Sequence, residues 1–554
     1  MASLEHRVGM LFAAFFALLV LAAGRTLYLG VLHSSALRKA AHTQQVTEES
    51  VPAQRGTITD RDGVILATSE PADEISATPY LVKDPLGAAT RLAPLLGLSL
   101  AHVLTDLSEH SGFVYLARTL PATEAQAVLA LHIAGIAATP TMRRVYPRGA
   151  LAGQVLGLVN TEGNARAGLE FSDNAILRGV TGQRRVVSDA IGQPISINDV
   201  HQEQPGARIA LTLDANIQQR AEAVLGAVGR VFHPADATAI VMDPRTGAIL
   251  AMANWPQLNP NDHLVPSLSA LENRAVSFDY EPGSTFKVVA VSGALESGLI
   301  TPDTPFAIPD QIQVANRVIH DAEEHGEETL TTSEILAQSS NVGAIKIGAL
   351  EGSERFNDWV HKYGFGTPTG VGLPGEEMGE VLPLDKYSGS SMGNLPIGQG
   401  ELVTPIQMAT AYSAIANGGI LRTPHIVQSI NGHAAREPHG HRVITTKTAA
   451  ELREMLRGVL APGGTASEVS IPGYQLAGKT GTASKVDPQT GQYSESAYVA
   501  SFIGFAPASN PKLLCAVIVD EPQTGSIYGG TVAAPAFGQI MGFALPYLGI
   551  QPGS

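Results

Sequence analysis

The pattern of apolar and polar positions divides the chain before any other property is considered. Val8 to Gly24 is one continuous apolar run, Arg25 interrupts it, and Thr26 to Leu32 continues in the same character. That length suffices for a bilayer-spanning helix, with Arg25 snorkelling and Tyr28 at the interface. Ala22-Ala23-Gly24 offers the small residues of a signal-peptidase site, but the apolar continuation past Arg25 favours an uncleaved anchor. Arg7 and His6 against Glu5 give a slight positive-inside bias, which directs the large remainder of the chain to the extracytoplasmic side.

Beyond the anchor, Ser34 to Gln54 is polar, helix-forming in composition and without a core-forming face; it reads as a stalk. Arg55 to Ala67 alternates as a strand pair around Asp62-Gly63. From residue 86 to about 210, helical patches alternate with turn-rich segments, as in a mixed α+β module. Asp214 can cap a helix over Ala215 to Val231, and Asp243-Pro244-Arg245-Thr246-Gly247 joins two apolar strands. Tyr498 to Phe505 and Leu513 to Val519 form a second strand pair, followed by a helix from about Ala533 to Pro546. Strands at both ends of this region with helices between them predict one antiparallel sheet flanked by helices, an α+β fold. The expected domains are an anchor over 1–33, a stalk and non-catalytic pedestal over 34–210, and a larger domain over 211–550.

A chain of 554 residues with 44% hydrophobic and 16% charged positions is a multidomain globular protein. Its formal charge of -15 argues against nucleic acid as a ligand. The single cysteine, Cys515, excludes an intramolecular disulfide framework and lies in an apolar strand, where it reads as a buried, inert thiol.

The candidate chemistry begins at Glu281-Pro282-Gly283-Ser284-Thr285-Phe286-Lys287, a turn leading into an apolar helix. Lys287 stands one helical turn from Ser284, and a lysine kept neutral by burial can take a serine's proton. A helix N-terminus adds N–H groups that stabilise an oxyanion. Ser339-Ser340-Asn341 supplies a hydroxyl and an amide at the start of another apolar helix. Lys479-Thr480-Gly481-Thr482 supplies a cation, two hydroxyls and a glycine that permits close backbone approach. Each motif alone is common.

In this order, Ser-x-x-Lys, Ser-x-Asn and Lys-Thr-Gly resemble the penicillin-binding and serine β-lactamase superfamily. The chain resembles a class B penicillin-binding protein of the cell-division type. The resemblance extends to Arg55-Gly56-Thr57-Ile58-Thr59-Asp60-Arg61, Leu211-Thr212-Leu213-Asp214, Gly398-Gln399-Gly400, Thr404-Pro405-Ile406-Gln407, Ala416-Asn417-Gly418-Gly419 and Asp520-Glu521-Pro522. It implies a peptidoglycan D,D-transpeptidase with Ser284 as the acylated nucleophile, Lys287 as its base, Ser339 as proton relay and Asn341 holding the substrate amide. Lys479 would tune this network, and Thr480 and Thr482, with Gly481 between them, would bind the terminal carboxylate of a D-Ala-D-Ala donor. An amine of a second stem peptide would be the acceptor, and β-lactams would acylate the same serine. A membrane location and partners among division proteins, including a lipid-linked glycan polymerase of the SEDS type, are further implications. No cofactor, metal or nucleic acid is implied. The rivals are an elongation-type transpeptidase, a hydrolytic D,D-carboxypeptidase or β-lactamase, and a non-catalytic β-lactam sensor or scaffold.

Other patterns compete less well. Gly473 to Thr480 fits a phosphate loop, but a turn rather than a helix is expected after Lys479-Thr480. Gly389-Ser390-Ser391-Met392-Gly393 fits a nucleophile elbow without the preceding strand and reads as a rim loop. His320-Asp321-Ala322-Glu323-Glu324-His325 resembles a metal cluster but reads as a solvated acidic loop; His433, His439 and His441 read as exposed.

Overall fold

A computed structural model describes residues 2–32, 46–188, 194–262, 266–436, 439–487 and 489–552. The apolar run forms the helix Ala2–Leu27, extended by a π-helical turn over Tyr28–Leu32. Its span Glu5–Val31 contains 27 residues, about 40 Å of helix at 1.5 Å per residue, enough to cross a hydrocarbon core of about 30 Å. Residues 34–45 of the expected stalk lie outside the described residues. Its later part is the strand Val46–Val51, not helix, because it pairs antiparallel with Gly182–Ser188. Valine and threonine suit that pairing, and the cross-strand pair Glu48–Arg185 closes it at 3.0 Å.

The contacts group the chain into two compact units. The first comprises Met1–Gln54, Pro71–Met142 and Arg178–Gly206. Its core is built from Ile75, Leu92, Val103, Leu107 and Leu116. The helix Pro85–Leu96 starts on the Asp84 carboxylate, which accepts from Gly87 N at 3.0 Å, and stops at Gly97.

The second unit takes in Ala207–Ser554 together with Arg55–Glu70 and Arg143–Leu177. Polar residues fasten those two upstream segments into it. Glu170 is fully buried and receives Arg55 Nε at 2.5 Å and Arg144 Nε at 2.6 Å. Asp60 receives Val64 N at 2.8 Å and Ala215 N at 3.1 Å. The five-stranded sheet runs, edge to edge, Ala248–Trp255, Asp236–Asp243, Leu513–Asp520, Tyr493–Ala506 and Ala477–Val486, all antiparallel. Every residue of the middle strand Leu513–Asp520 is buried, which explains its unbroken apolar run. Cys515 is buried there, and burial pushes its thiol pKa up, as expected of an inert thiol. The helices Ala215–Phe232 and Ala534–Tyr547 pack on each other and on this sheet, as does Pro405–Ala416. Asp214 caps the first of these through Asn216 N and Ile217 N at 3.0 and 3.2 Å.

Candidate active site

Ser284 lies in a tight 3₁₀ turn, Gly283–Phe286, and the α-helix proper starts three residues after it, at Lys287, as the apolar run from Val288 suggests. The turn is held from several sides. Thr285 Oγ1 donates to Pro282 O at 2.7 Å, and the buried Tyr412 hydroxyl donates to Thr285 O at 2.7 Å. Phe286 packs against the rings of Phe356 and Phe365. Gly283 has φ +54, a conformation costly for other residues, and its N–H donates to Gly398 O at 3.0 Å. Just upstream, Glu281 Oε1 accepts from Gly400 N at 2.9 Å and from the Tyr493 hydroxyl at 3.2 Å.

The Ser339-Ser340-Asn341 motif is the break between two helices. Thr332–Gln338 begins with a capping box between Thr331 and Glu334 and ends at Ser339, which is left-handed at φ +64. Ser340 then caps Asn341–Glu351, its Oγ accepting from Gly343 N at 2.9 Å. This break turns both polar groups toward Lys287. Its Nζ contacts Ser339 O at 2.5 Å, Ser339 Oγ at 3.2 Å and Asn341 Oδ1 at 2.8 Å. Lys287 is fully buried, and desolvation brings its pKa down to about 7 despite the opposing charge of Asp321. A neutral amine has two hydrogens and one lone pair. Giving the hydrogens to Ser339 O and Asn341 Oδ1 leaves the lone pair to accept from the Ser339 hydroxyl.

Lys479-Thr480-Gly481-Thr482 lies within Ala477–Val486, the edge strand of the sheet. Its inner side pairs with Tyr493–Ala506, with Lys479 opposite Ile503 and Gly481 opposite Ser501. Gly481 lies between that strand and the Ser284 turn: a Cβ there would lie 2.3 Å from Ser501 Oγ and 3.0 Å from Pro282 O. A larger residue would have to displace the Ser501 hydroxyl and press on the turn. Lys479 is fully buried, and both desolvation and the charge of Lys287 hold its pKa well below the usual lysine range. Thr480 Oγ1 lies 2.6 Å from Thr465 Oγ1, and Thr482 Oγ1 accepts from Gly529 N at 3.1 Å.

Three segments far apart in the chain thus meet around two buried lysines and a serine. The family described as penicillin binding protein transpeptidase domain matches residues 237–542, and the penicillin-binding protein dimerisation domain matches residues 50–211. Penicillin-binding protein PbpB of Mycobacterium tuberculosis is 36% identical over 98% of this chain and 84% of its own length. The chain belongs to the penicillin-binding protein transpeptidases. Peptidoglycan D,D-transpeptidase FtsI of Escherichia coli is 33% identical over 96% of this chain and 90% of its own. Among solved structures, penicillin-binding protein 3 of Mycobacterium tuberculosis complexed with aztreonam has a TM-score of 0.71 at 31% identity, covering 91% of this chain and 98% of that one.

Elsewhere in this penicillin-binding protein, the competing patterns take other roles. Lys479-Thr480 sits inside a strand, so no helix follows to aim at a phosphate. Ser391 is buried and receives Ser388 N at 2.8 Å, unlike an exposed elbow nucleophile, while neighbouring Asn394 borders the cavity beside Asn341. His433, His439 and His441 are exposed, as their polar surroundings suggest. In the acidic loop His320, Glu323 and Glu324 are exposed as read, but Asp321 is not. Asp321 has a largely buried side chain, accepts from Asn341 N, from Val342 N at 3.1 Å and from Ser340 Oγ at 2.8 Å, and faces His325 Nε2 at 3.2 Å. It therefore caps the helix that carries Asn341. Thr465 and Tyr412 are further supports that sequence reasoning misses; neither lies within a motif, and their partners are distant in the chain. A weak signal existed for Asp321, since an acid suits the N-terminus of an apolar helix only if the fold brings it there.

Proposed function

We propose that this chain is a septal peptidoglycan D,D-transpeptidase working through an acyl-enzyme on Ser284. The observation that carries the reading is the buried Lys287, with a pKa near 7, one turn from Ser284 and bonded to Ser339 and Asn341. Ser284 Oγ attacks the carbonyl carbon of the penultimate D-Ala, and its proton passes to Lys287 Nζ, directly or through the Ser339 hydroxyl. The backbone N–H groups of Ser284 and Thr482 hold the oxyanion. The C–N bond breaks, the departing D-alanine amine takes the proton, and an amine from a second stem peptide resolves the ester.

Thr480 and Thr482 bind the donor's terminal carboxylate, and Lys479 tunes the network electrostatically. Two lysines buried this close resist carrying charge together. A bound carboxylate favours the charge on Lys479, and that charge keeps Lys287 neutral when it must act as base. A β-lactam enters as a donor mimic and acylates Ser284. The Glu5–Val31 helix anchors the protein with its catalytic unit outside the cytoplasm, where its partners are division proteins including a SEDS-type glycan polymerase. The division role is supported by the serine-serine-asparagine form of the second motif.

The test is labelling of the full chain with a fluorescent penicillin, followed by peptide mapping. Label is expected on the Ser284 peptide and absent from Ser284→Ala; equal labelling of the variant would falsify the assignment. Supplying an amine acceptor with a stem-peptide donor separates transfer from hydrolysis, and release of free acid alone would make the enzyme a carboxypeptidase.

A further inference from the structure

A cavity of about 390 Å³ opens beside the catalytic cluster, with Arg317, Val318, Asn341, Gln399 and Tyr493 in its lining. Asn341 belongs to both places. Its Oδ1 receives Lys287 Nζ, while its Nδ2 donates at 2.9 Å to His320 O, at the end of the strand Arg317–His320. If the donor's terminal carboxylate sits at Thr480 and Thr482, the rest of the donor must leave in the other direction, past Asn341 and into this cavity.

Arg317 is exposed at the cavity, on a hairpin whose register pairs it with Val314. Other arginines of the unit are committed to internal partners: Arg274 to Asp236, Arg457 to Glu454, Arg442 to Gly418 O. Arg317 has no hydrogen bond or ion pair among the described residues. The neighbouring charges do not neutralise it. His320 faces Asp310 at 3.9 Å, and Glu281 accepts through Oε1 from Gly400 N and Tyr493, with Oε2 buried and unbonded rather than paired with Arg317. Burial raises the Glu281 pKa. Tyr493 is near enough for the Arg317 charge to act on its phenol. The cavity is thus left with an uncommitted guanidinium, an amide from Gln399 and an aromatic wall, a combination suited to a carboxylate on a peptide.

We propose that Arg317, with Gln399 and Tyr493, forms a subsite for a carboxylate on the donor peptide, on the amino-terminal side of the scissile bond, so that acidic donors are preferred to amidated ones. The subsite rests on acyl transfer at Ser284. It recognises the donor rather than the acceptor because its inner wall is Asn341, which contacts the base itself.

The test uses the full-length protein and two penicillins that are identical except for a carboxylate or a carboxamide on the acyl side chain. The quantity read is the ratio of their second-order acylation rate constants. Arg317→Ala should lower the carboxylate-to-carboxamide ratio about tenfold, the scale of one partly exposed charge-assisted hydrogen bond. Arg317→Glu should turn the preference toward the carboxamide. A variant that loses both rates in proportion keeps the wild-type ratio, and that result overturns the subsite. So does an unchanged acylation ratio accompanied by selectivity only when an acidic acceptor is added, which would move the carboxylate to the acceptor. Absence of acylation of wild-type Ser284 by either penicillin overturns the parent reading, a result distinct from equal ratios in proteins that do acylate.

Discussion

In the proposed mechanism Lys287 acts as a base at neutral pH while enclosed by protein, and its surroundings set when it can act. With burial bringing its pKa to about 7, acylation should rise with pH along a limb centred near 7. A penicillin with no titrating group between pH 5 and 9, followed by stopped-flow, checks this; a flat profile would remove Lys287 as the base. Asp321 pulls the other way, since its negative charge favours protonated Lys287. Asp321→Asn keeps an oxygen for the helix N–H groups but removes the charge, so the limb should move to lower pH. A merely structural role would lower the rate without moving the limb. Ser339 carries a second constraint, a left-handed backbone at φ +64 that costs a non-glycine residue about 1 kcal/mol. Ser339→Gly should therefore melt at or above Ser339→Ala, although both lose the hydroxyl and acylate on the order of a hundredfold more slowly. Thermal melts beside penicillin labelling of the two variants decide it.

At the scale of elements, the catalytic unit depends on joints between segments. Thr465 is one such joint: its N–H donates to Ala337 O at 3.3 Å, two residues before Ser339, and its hydroxyl meets Thr480 at 2.6 Å. It ties the helix ending at the second motif to the strand carrying the third. Thr465→Val keeps the shape and removes that hydroxyl contact, so donor acylation should fall about tenfold with little change in melting temperature, and Thr465→Ser should recover it. Equal rates in all three proteins would leave the joint without a positioning role. Joints of this kind also mark where sequence reading stops. Ser284, Lys287, Ser339, Asn341 and Lys479-Thr480-Gly481-Thr482 were legible because each motif is local and their order along the chain is informative. The sheet was legible where its strands are apolar throughout, as in Leu513–Asp520. Asp321, Thr465 and Tyr412 were not, because their bonds reach across 20, 15 and 127 positions to partners that only the fold selects. Val46–Val51 misled for the same reason, since its extended form depends on a partner strand more than a hundred residues away.

At the scale of the whole molecule, the pH response of stability follows from how many ionisable groups the catalytic unit buries. Glu401 is 1% exposed with neither carboxylate oxygen hydrogen-bonded, and burial raises its pKa to about 8; Glu351 is raised to about 8 and Glu222 to about 7 for the same cause. A carboxyl with a raised folded pKa holds its proton after the unfolded chain has released it. Stability is therefore lost as pH climbs from about 4.5 toward the folded pKa, on the order of 5 kcal/mol for a shift as large as that of Glu401. The buried lysines act in the opposite sense. Lys287 is neutral in the folded state above about 7, whereas the unfolded chain keeps that proton to about 10.5, so stability is recovered as pH rises between those values. The two sets together place a stability minimum near pH 7 to 8, the range in which Lys287 loses its proton. Glu401→Gln removes one ionisation without changing the volume. It should leave the melting temperature near that of wild type at pH 5 and raise it at pH 8, flattening the decline between them. An identical decline in the variant would show that Glu401 ionises alike in the folded and unfolded chains, and would shift the cost of neutral pH onto the remaining buried acids.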